Sequence, residues 1–206
     1  TVTSAMAGVT DELLEIAHKL IEPRANPKQL IPEFMKRMSD RHFRACRVAI
    51  SDKDALYRTT RTIKDTLDAL ERVLTGVSYL GELSPRSLDF VLSFGERLSA
   101  PILAGAIKSL GVPSRHLTGF EAGILTDDRY TEARPLFEKT RKLVRQRFDK
   151  FLAAGEVPVV TGFIAGTEDG IVTTLGRGGS DYTASILGES LGVDEIWIMT
   201  DVDGIM

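Results

Sequence analysis

Apolar residues recur at helical spacing through most of the first half of the chain, and short apolar runs replace them towards the end. Leu13, Leu14, Ile16 and Ala17 follow Thr10, Asp11 and Glu12. Thr10 suits an N-cap and the two acids complement the helix dipole, which predicts a first helix to about Leu20, before the Glu22-Pro23 break. Leu30, Phe34 and Met38, then Leu56, Ile63, Leu67, Leu70 and Leu74, keep the same period between positions 27 and 80. That stretch predicts two or three packed helices. Pro85 suits the first turn of another helix, Gly95 and Pro101 punctuate the apolar stretch up to Leu110, and Gly111 closes it.

The texture then changes. Residues 1–6 suit the end of a strand and residues 113–118 short strands, while residues 135–154 form a strongly amphipathic helix ended by Gly155. Val157 to Val160, Ile171 to Leu175 and Asp194 to Thr200 read as strands, with a helix at about 183–191 between the last two. Strands alternating with helices and apolar on both faces imply an α/β fold, a parallel or mixed sheet covered by helices. No repeat, low-complexity stretch or linker interrupts the chain, so residues 1–206 read as a single domain with a helical excursion at about 24–90.

The 206 residues suffice for a substantial core, and 43% hydrophobic with 27% charged residues excludes disordered and collagen-like classes. Lys and Arg total 26 against 29 Asp and Glu, a net charge of −3, so nucleic acid is not an expected partner. Cys46 is the single cysteine, which excludes an intrachain disulfide and suits a reducing, cytoplasmic compartment. No membrane partner is expected, because no uninterrupted apolar run reaches the roughly 18 residues of a spanning helix and no signal peptide is visible. The chain starts at Thr1 without Met and stops at Met206 after an Asp203-Gly204 turn signal, so both ends look cut through structure.

Four segments could carry chemistry. In Thr173-Thr-Leu-Gly-Arg-Gly-Gly-Ser-Asp-Tyr182 a strand runs into three glycines and then into a helix start marked by Ser180 and Asp181. Such a loop aims backbone N–H groups and a helix N-terminus at one spot, as phosphate and carboxylate sites do, and Arg177 adds a planar fork for the same anions. The plainer alternative is a tight turn with Ser180 as an ordinary cap. Neither a P-loop nor a dinucleotide fingerprint is present. Ile196-Trp-Ile-Met-Thr-Asp-Val-Asp-Gly204 delivers Thr200, Asp201 and Asp203 at a strand end, where open α/β sheets bind ligands; a strand followed by an Asp-Gly turn explains it equally. In Ser93-Phe-Gly-Glu-Arg-Leu98, Glu96 could meet a cation or simply be solvated. The small residues of Ser4-Ala-Met-Ala-Gly-Val-Thr10 suit close ligand approach or an ordinary strand-to-helix turn.

Together these segments carry a resemblance. Ser4 to Asp11, Ser93 to Ser99, Val159-Val-Thr-Gly-Phe163, Thr173 to Ala184 and Thr200-Asp-Val-Asp-Gly204 occur in the order found in aspartate kinases of the amino-acid kinase superfamily. The resemblance spans almost the whole chain, less distinctively at 20–90 and 111–155, and its Gly-Arg-Gly-Gly-Ser-Asp core differs from relatives acting on glutamate, acetylglutamate, carbamate or UMP.

The resemblance implies a three-layer α/β/α sandwich around a mostly parallel sheet. It implies ATP-dependent phosphorylation of the L-aspartate side-chain carboxylate, the first step towards lysine, threonine and methionine. Partners would be L-aspartate, ATP and Mg²⁺, with a homo-oligomer in the complete protein. Carried over by position, Thr10, Glu96, Arg177, Gly178, Gly179, Ser180 and Asp181 look like substrate-binding residues, with Arg177 and Asp181 nearest the chemistry. Thr200, Asp201 and Met206 look like nucleotide-binding positions, although many relatives carry a tyrosine where Met206 stands. Arg177 suits the α-carboxylate of aspartate, and Glu96 or Asp181 its ammonium. The acceptor carboxylate is already ionised at neutral pH, with a free pKa near 3.9, so Asp181 is expected to orient substrate rather than act as a base.

The family's lysine-bearing phosphate loop is expected before Thr1 and its Asp-Pro-Arg segment after Met206, so this piece by itself is expected to be inactive; no ACT regulatory segment is expected within the 206 residues. Two alternatives are another acyl-phosphate-forming amino-acid kinase and a noncatalytic binding or regulatory subunit of the same fold. No metal site is expected from His18, His42, His116 or Cys46, which lack ligand spacing and read as surface or core-edge residues. Arg37, Arg41, Arg44 and Arg47 form a basic helical stripe, read as a solvated face or subunit contact.

Overall fold

A computed structural model describes residues 1–199 of the chain. Three parallel strands form its sheet in the order β1 (Val2–Thr3), β3 (Val157–Thr161), β2 (Ser114–Leu117). Val160 stands opposite both Val2 and Leu117, so all three strands end on one side of the molecule. Period-two alternation sends neighbouring valines of β3 to opposite faces. Val159 packs with Ala100 and Ala104 of α5 (Phe94–Ser109). Val160 packs with Val144 and Phe148 of α7 (Phe137–Ala153) and with Ile186 and Leu187 of α8 (Gly179–Leu191). A helix layer on each face makes the expected three-layer sandwich.

The helical excursion consists of two long helices, α2 (Pro27–Ala49) and α3 (Lys53–Leu80). Their periodic apolar residues, Phe34, Met38, Ile63, Leu70 and Leu74, merge into one core with α1 (Val9–Leu20), α4 (Pro85–Leu92) and the start of α5. Asp52 caps α3 by accepting from the Ala55 N–H at 2.7 Å, and Ser84 caps α4 ahead of Pro85. Residues 85–109 are long and apolar enough to cross a membrane, but they are split between α4 and α5 and mostly buried in the fold. A short helix α6 (Gly119–Ala122) follows β2, and a two-stranded antiparallel hairpin, β4 (Ile164–Gly166) with β5 (Val172–Thr174), leads into α8.

Several boundaries differ from expectation. Helix α1 is capped by Gly8, not Thr10, because the preceding chain turns through a left-handed residue (φ 76°) that a β-branched threonine adopts poorly. Helix α8 starts at Gly179 rather than near 183, after Gly178 in the same conformation (φ 73°). Gly95 and Pro101 lie inside α5 instead of interrupting it. Residues 194–199 form no strand: no described backbone ladders with them, and Trp197 and Met199 are largely exposed. Thr200 lies outside the described residues.

Candidate functional site

A cavity of about 420 Å³ opens beside the C-terminal ends of β1 and β3, where parallel sheets place their ligands. Its wall is drawn from four separate stretches: the Ser4–Gly8 loop with the first turn of α1, Glu96 of α5, Phe163 after β3, and Gly176 to Asp181. Thr10, Glu96, Arg177, Gly178, Gly179, Ser180 and Asp181, seven positions singled out by sequence, all line it. Thr200, Asp201 and Met206 lie outside the described residues.

Two helices begin at this cavity, and neither has a side-chain cap at its N-terminus. Each starts from a left-handed glycine, Gly8 or Gly178, so no cap hydroxyl or carboxylate occupies the first turn. The N–H groups of Thr10, Asp11, Ser180 and Asp181 have no acceptor among the described residues. Two such first turns on one cavity make a place for anionic oxygens, favoured by both helix dipoles. Arg177 is exposed on the glycine loop and makes no ion pair among the described residues. Its fork is therefore available to a carboxylate.

Glu96 supplies the opposite charge. It is 3% exposed, one oxygen accepts from the Ala5 N–H at 3.1 Å, and the other, Oε2, is buried without a partner. Burial pushes its carboxyl up to about 7, and the Ala5 N–H only partly opposes that. A buried carboxylate oxygen without a partner, on a residue that lines a cavity, calls for a cationic partner.

Close backbone approaches hold the walls in place. A Cβ on Gly95 would stand 2.8 Å from that of Ala5, so only glycine lets α5 bring Glu96 up to the Ser4–Gly8 loop. Ser99 fixes the same loop by donating to the Ser4 carbonyl at 2.6 Å. A Cβ on Gly162 would come within 2.5 Å of Ser180 Oγ and 2.8 Å of its Cα, which seats the start of α8 directly on the end of β3.

Two residues with no role assigned from sequence belong here. Phe163 lines the cavity in a left-handed conformation (φ 63°) uncommon for a non-glycine residue, its N–H donating to Thr183 Oγ1 at 3.0 Å. Its place after Val-Val-Thr-Gly at the end of an apolar strand was the available signal. Asp89, in α4, is fully buried and accepts from the Thr131 and Thr174 N–H groups at 3.0 Å and from Thr174 Oγ1 at 2.7 Å. Burial pushes its carboxyl up, opposed by those bonds. No periodicity flags such a residue.

Among the described residues no cluster of His, Cys, Asp and Glu suits a metal ion. His42 is a core residue rather than a core-edge one, fully buried with Nδ1 2.7 Å from the Met38 carbonyl. The basic stripe is partly committed inside the fold: Arg41 donates to Glu12 at 2.6 Å, and Arg37 lies 3.7 Å from the same carboxylate.

A model of the amino acid kinase family matches residues 1–206. The chain is 36% identical over 207 residues to Aspartokinase 1, chloroplastic, of Arabidopsis thaliana, which covers all of this chain and 35% of that protein. It is 40% identical over 124 residues to Aspartokinase 1 of Bacillus subtilis, covering 60% of this chain and 30% of the relative. Among solved structures it is similar to E. coli aspartokinase III in complex with aspartate and ADP (R-state), with TM-score 0.87, 27% identity and coverage of 99% of this chain and 42% of that one. The lysine- and aspartate-bound T-state of the same enzyme gives a TM-score of 0.85 at the same identity, covering 99% and 43%. The chain thus spans about a third of the length of the curated relatives it matches.

Proposed function

This chain belongs to the amino acid kinase family, and from that premise we propose that its cavity binds L-aspartate for ATP-dependent phosphorylation of the side-chain carboxylate, giving 4-phospho-L-aspartate and ADP. The observation that carries the reading is the buried, unpartnered Oε2 of Glu96 sharing one cavity with Arg177 and two uncapped helix starts. An α-amino acid with an acidic side chain offers one cation and two anions, and the cavity offers the matching set. Its volume also falls within the roughly 300–1,000 Å³ usual for small-molecule sites.

In this reading Glu96 takes the ammonium, Arg177 the α-carboxylate, and the Ser180 and Asp181 amides with the Thr10 and Ser180 hydroxyls align the reacting carboxylate. That carboxylate is ionised at neutral pH, so no residue has to remove a proton. One of its oxygens forms the new bond to the γ-phosphorus of ATP while the bond from that phosphorus to the β,γ-bridging oxygen breaks, the electron pair leaving on ADP. The protein contributes alignment and relief of the repulsion between two anions. Asp181 orients the substrate from the first turn of α8.

The free first-turn amides of α1 and α8 suit phosphate oxygens, and by the resemblance Thr200, Asp201 and Met206 complete the nucleotide site. By the resemblance Mg²⁺ would arrive coordinated by the phosphates. Bound there, it would neutralise charge on the transferring group. The bacterial and chloroplastic relatives fit a cytoplasmic or plastid setting, and the resemblance carries a homo-oligomeric assembly for the whole protein.

Titration of L-aspartate and Mg-ATP into the whole protein, followed by hydroxylamine trapping of acyl phosphate, tests the reading. Aspartate-dependent hydroxamate is expected. Binding without turnover would instead identify a noncatalytic binding subunit, and turnover with a different amino acid would identify another amino-acid kinase.

A further inference from the structure

We infer that Asp89 is a positioning residue for the glycine-rich wall of the cavity, an inference that rests on the reading of that cavity as the aspartate site. Asp89 lies outside the cavity lining and is fully buried. Among the described residues its carboxylate forms no ion pair, and the bonds it accepts come from Thr131 and Thr174. Both partners lead directly to the loop that carries Arg177.

The first route is along the chain. Thr174 is the last residue of β5, and Gly176 and Arg177 follow after one intervening residue. Asp89 grips Thr174 twice, through its N–H at 3.0 Å and its hydroxyl at 2.7 Å. The second route is across space. Thr131 holds a left-handed conformation (φ 74°) that threonine rarely adopts, with its N–H directed at both Asp89 oxygens at 3.0 Å. The carbonyl of Thr131 lies 3.3 Å from where a Cβ on Gly176 would stand, so this turn forms the back of the glycine loop. The Ala133 N–H donates to the Thr174 carbonyl at 2.9 Å and closes the frame.

A buried carboxylate is a costly way to hold two backbone segments together when apolar packing would serve, and its return is a single geometry. Asp89 sets where β5 ends relative to the 130–133 turn, and so where the Gly176–Gly179 amides and Arg177 sit.

The test uses the whole protein as wild type and as Thr174→Val, Thr174→Ser and Asp89→Asn. Thr174→Val keeps the volume but removes the hydroxyl donor; Thr174→Ser keeps the donor; Asp89→Asn sets an amide donor against N–H and O–H donors. L-aspartate affinity is measured by calorimetry well below each variant's unfolding temperature, and amide hydrogen exchange is followed along the chain. Thr174→Val and Asp89→Asn are expected to weaken binding by roughly tenfold or more, on the scale of an unsatisfied buried polar group, with faster exchange confined to residues 174–181. Thr174→Ser is expected to restore both. Unchanged affinity, or exchange that rises uniformly with lost stability, would overturn the inference. If wild type itself does not bind aspartate, the substrate reading fails while the exchange pattern still decides the role of Asp89. If Asp89→Asn does not fold, the Val/Ser pair decides alone.

Discussion

Glu96 and Ala5 are joined by a single hydrogen bond, the Ala5 N–H donating to Oε1 at 3.1 Å across 91 positions of sequence. The bond ties the loop after β1 to α5 and leaves the other carboxylate oxygen, Oε2, buried without a partner among the described residues.

Replacing Glu96 by Gln should keep the acceptor for Ala5 and remove the charge. A charged hydrogen bond contributes about 1.5–3 kcal/mol, so aspartate affinity should fall roughly ten- to a hundredfold while the fold persists. Calorimetric titration with circular dichroism as a control checks this. Wild-type affinity in Glu96→Gln would remove Glu96 from the ammonium site.

The raised carboxyl of Glu96, at about 7, sets a pH dependence with a definite sign. Above about pH 7 the group is ionised and able to pair with an ammonium; below it, binding must displace a proton. Aspartate affinity should therefore rise between pH 6 and 8, with protons released at the lower end. Stability of the ligand-free chain runs the other way. From the ordinary 4.5 up to about 7 the folded state binds the proton that the unfolded state has lost, so stability falls with rising pH across that window. The loss amounts to about 3 kcal/mol at 1.36 kcal/mol per unit. Asp89, also raised by burial, acts in the same direction. Denaturant titrations from pH 4.5 to 8 should show the slope, reduced in Glu96→Gln.

Gly162 and Gly178 both border the glycine-rich loop, but alanine should affect them differently. At Gly162 the added methyl meets the backbone of Ser180 at 2.8 Å, so α8 must shift, costing about 1–3 kcal/mol and most of the aspartate affinity. At Gly178 it meets nothing within 4 Å, and only the left-handed φ of 73° is penalised, by about 1–2 kcal/mol. Thermal unfolding and titration of the two variants side by side test this; equal loss of affinity would mean that the contact with Ser180 does not set the site.

If Asp181 orients substrate, Asp181→Asn in the whole protein should raise KM for aspartate and lower kcat together. A collapse of kcat with unchanged aspartate affinity would instead give Asp181 a role in the chemical step.

Much of the site was visible before folding because glycine and helix-start chemistry are local. Three glycines around Arg177, followed by Ser180 and Asp181, have the pattern of an anion site without reference to any distant residue. Thr10 has the chemistry of a cap, but it stands two positions beyond a glycine that turns the chain left-handed and starts the helix first. Positions 194–199 have the composition of a strand, yet a strand exists only beside a partner, and none of the described backbone supplies one. Asp89 and Phe163 were silent because their signals are burial by remote elements and a backbone angle unusual for the residue type.

The parallel register carries a further consequence. The Val160 N–H donates to the carbonyl of Thr1 at 2.8 Å, far along the sequence, and β1 pairs with β3. Closing so long a loop is slow, and contacts of that separation form late. The cavity at the ends of these two strands is therefore expected to form only after β1 and β3 have paired. A ligand of this cavity would capture molecules that have already completed β1–β3 pairing, and refolding followed by ligand binding should lag refolding followed by helix content.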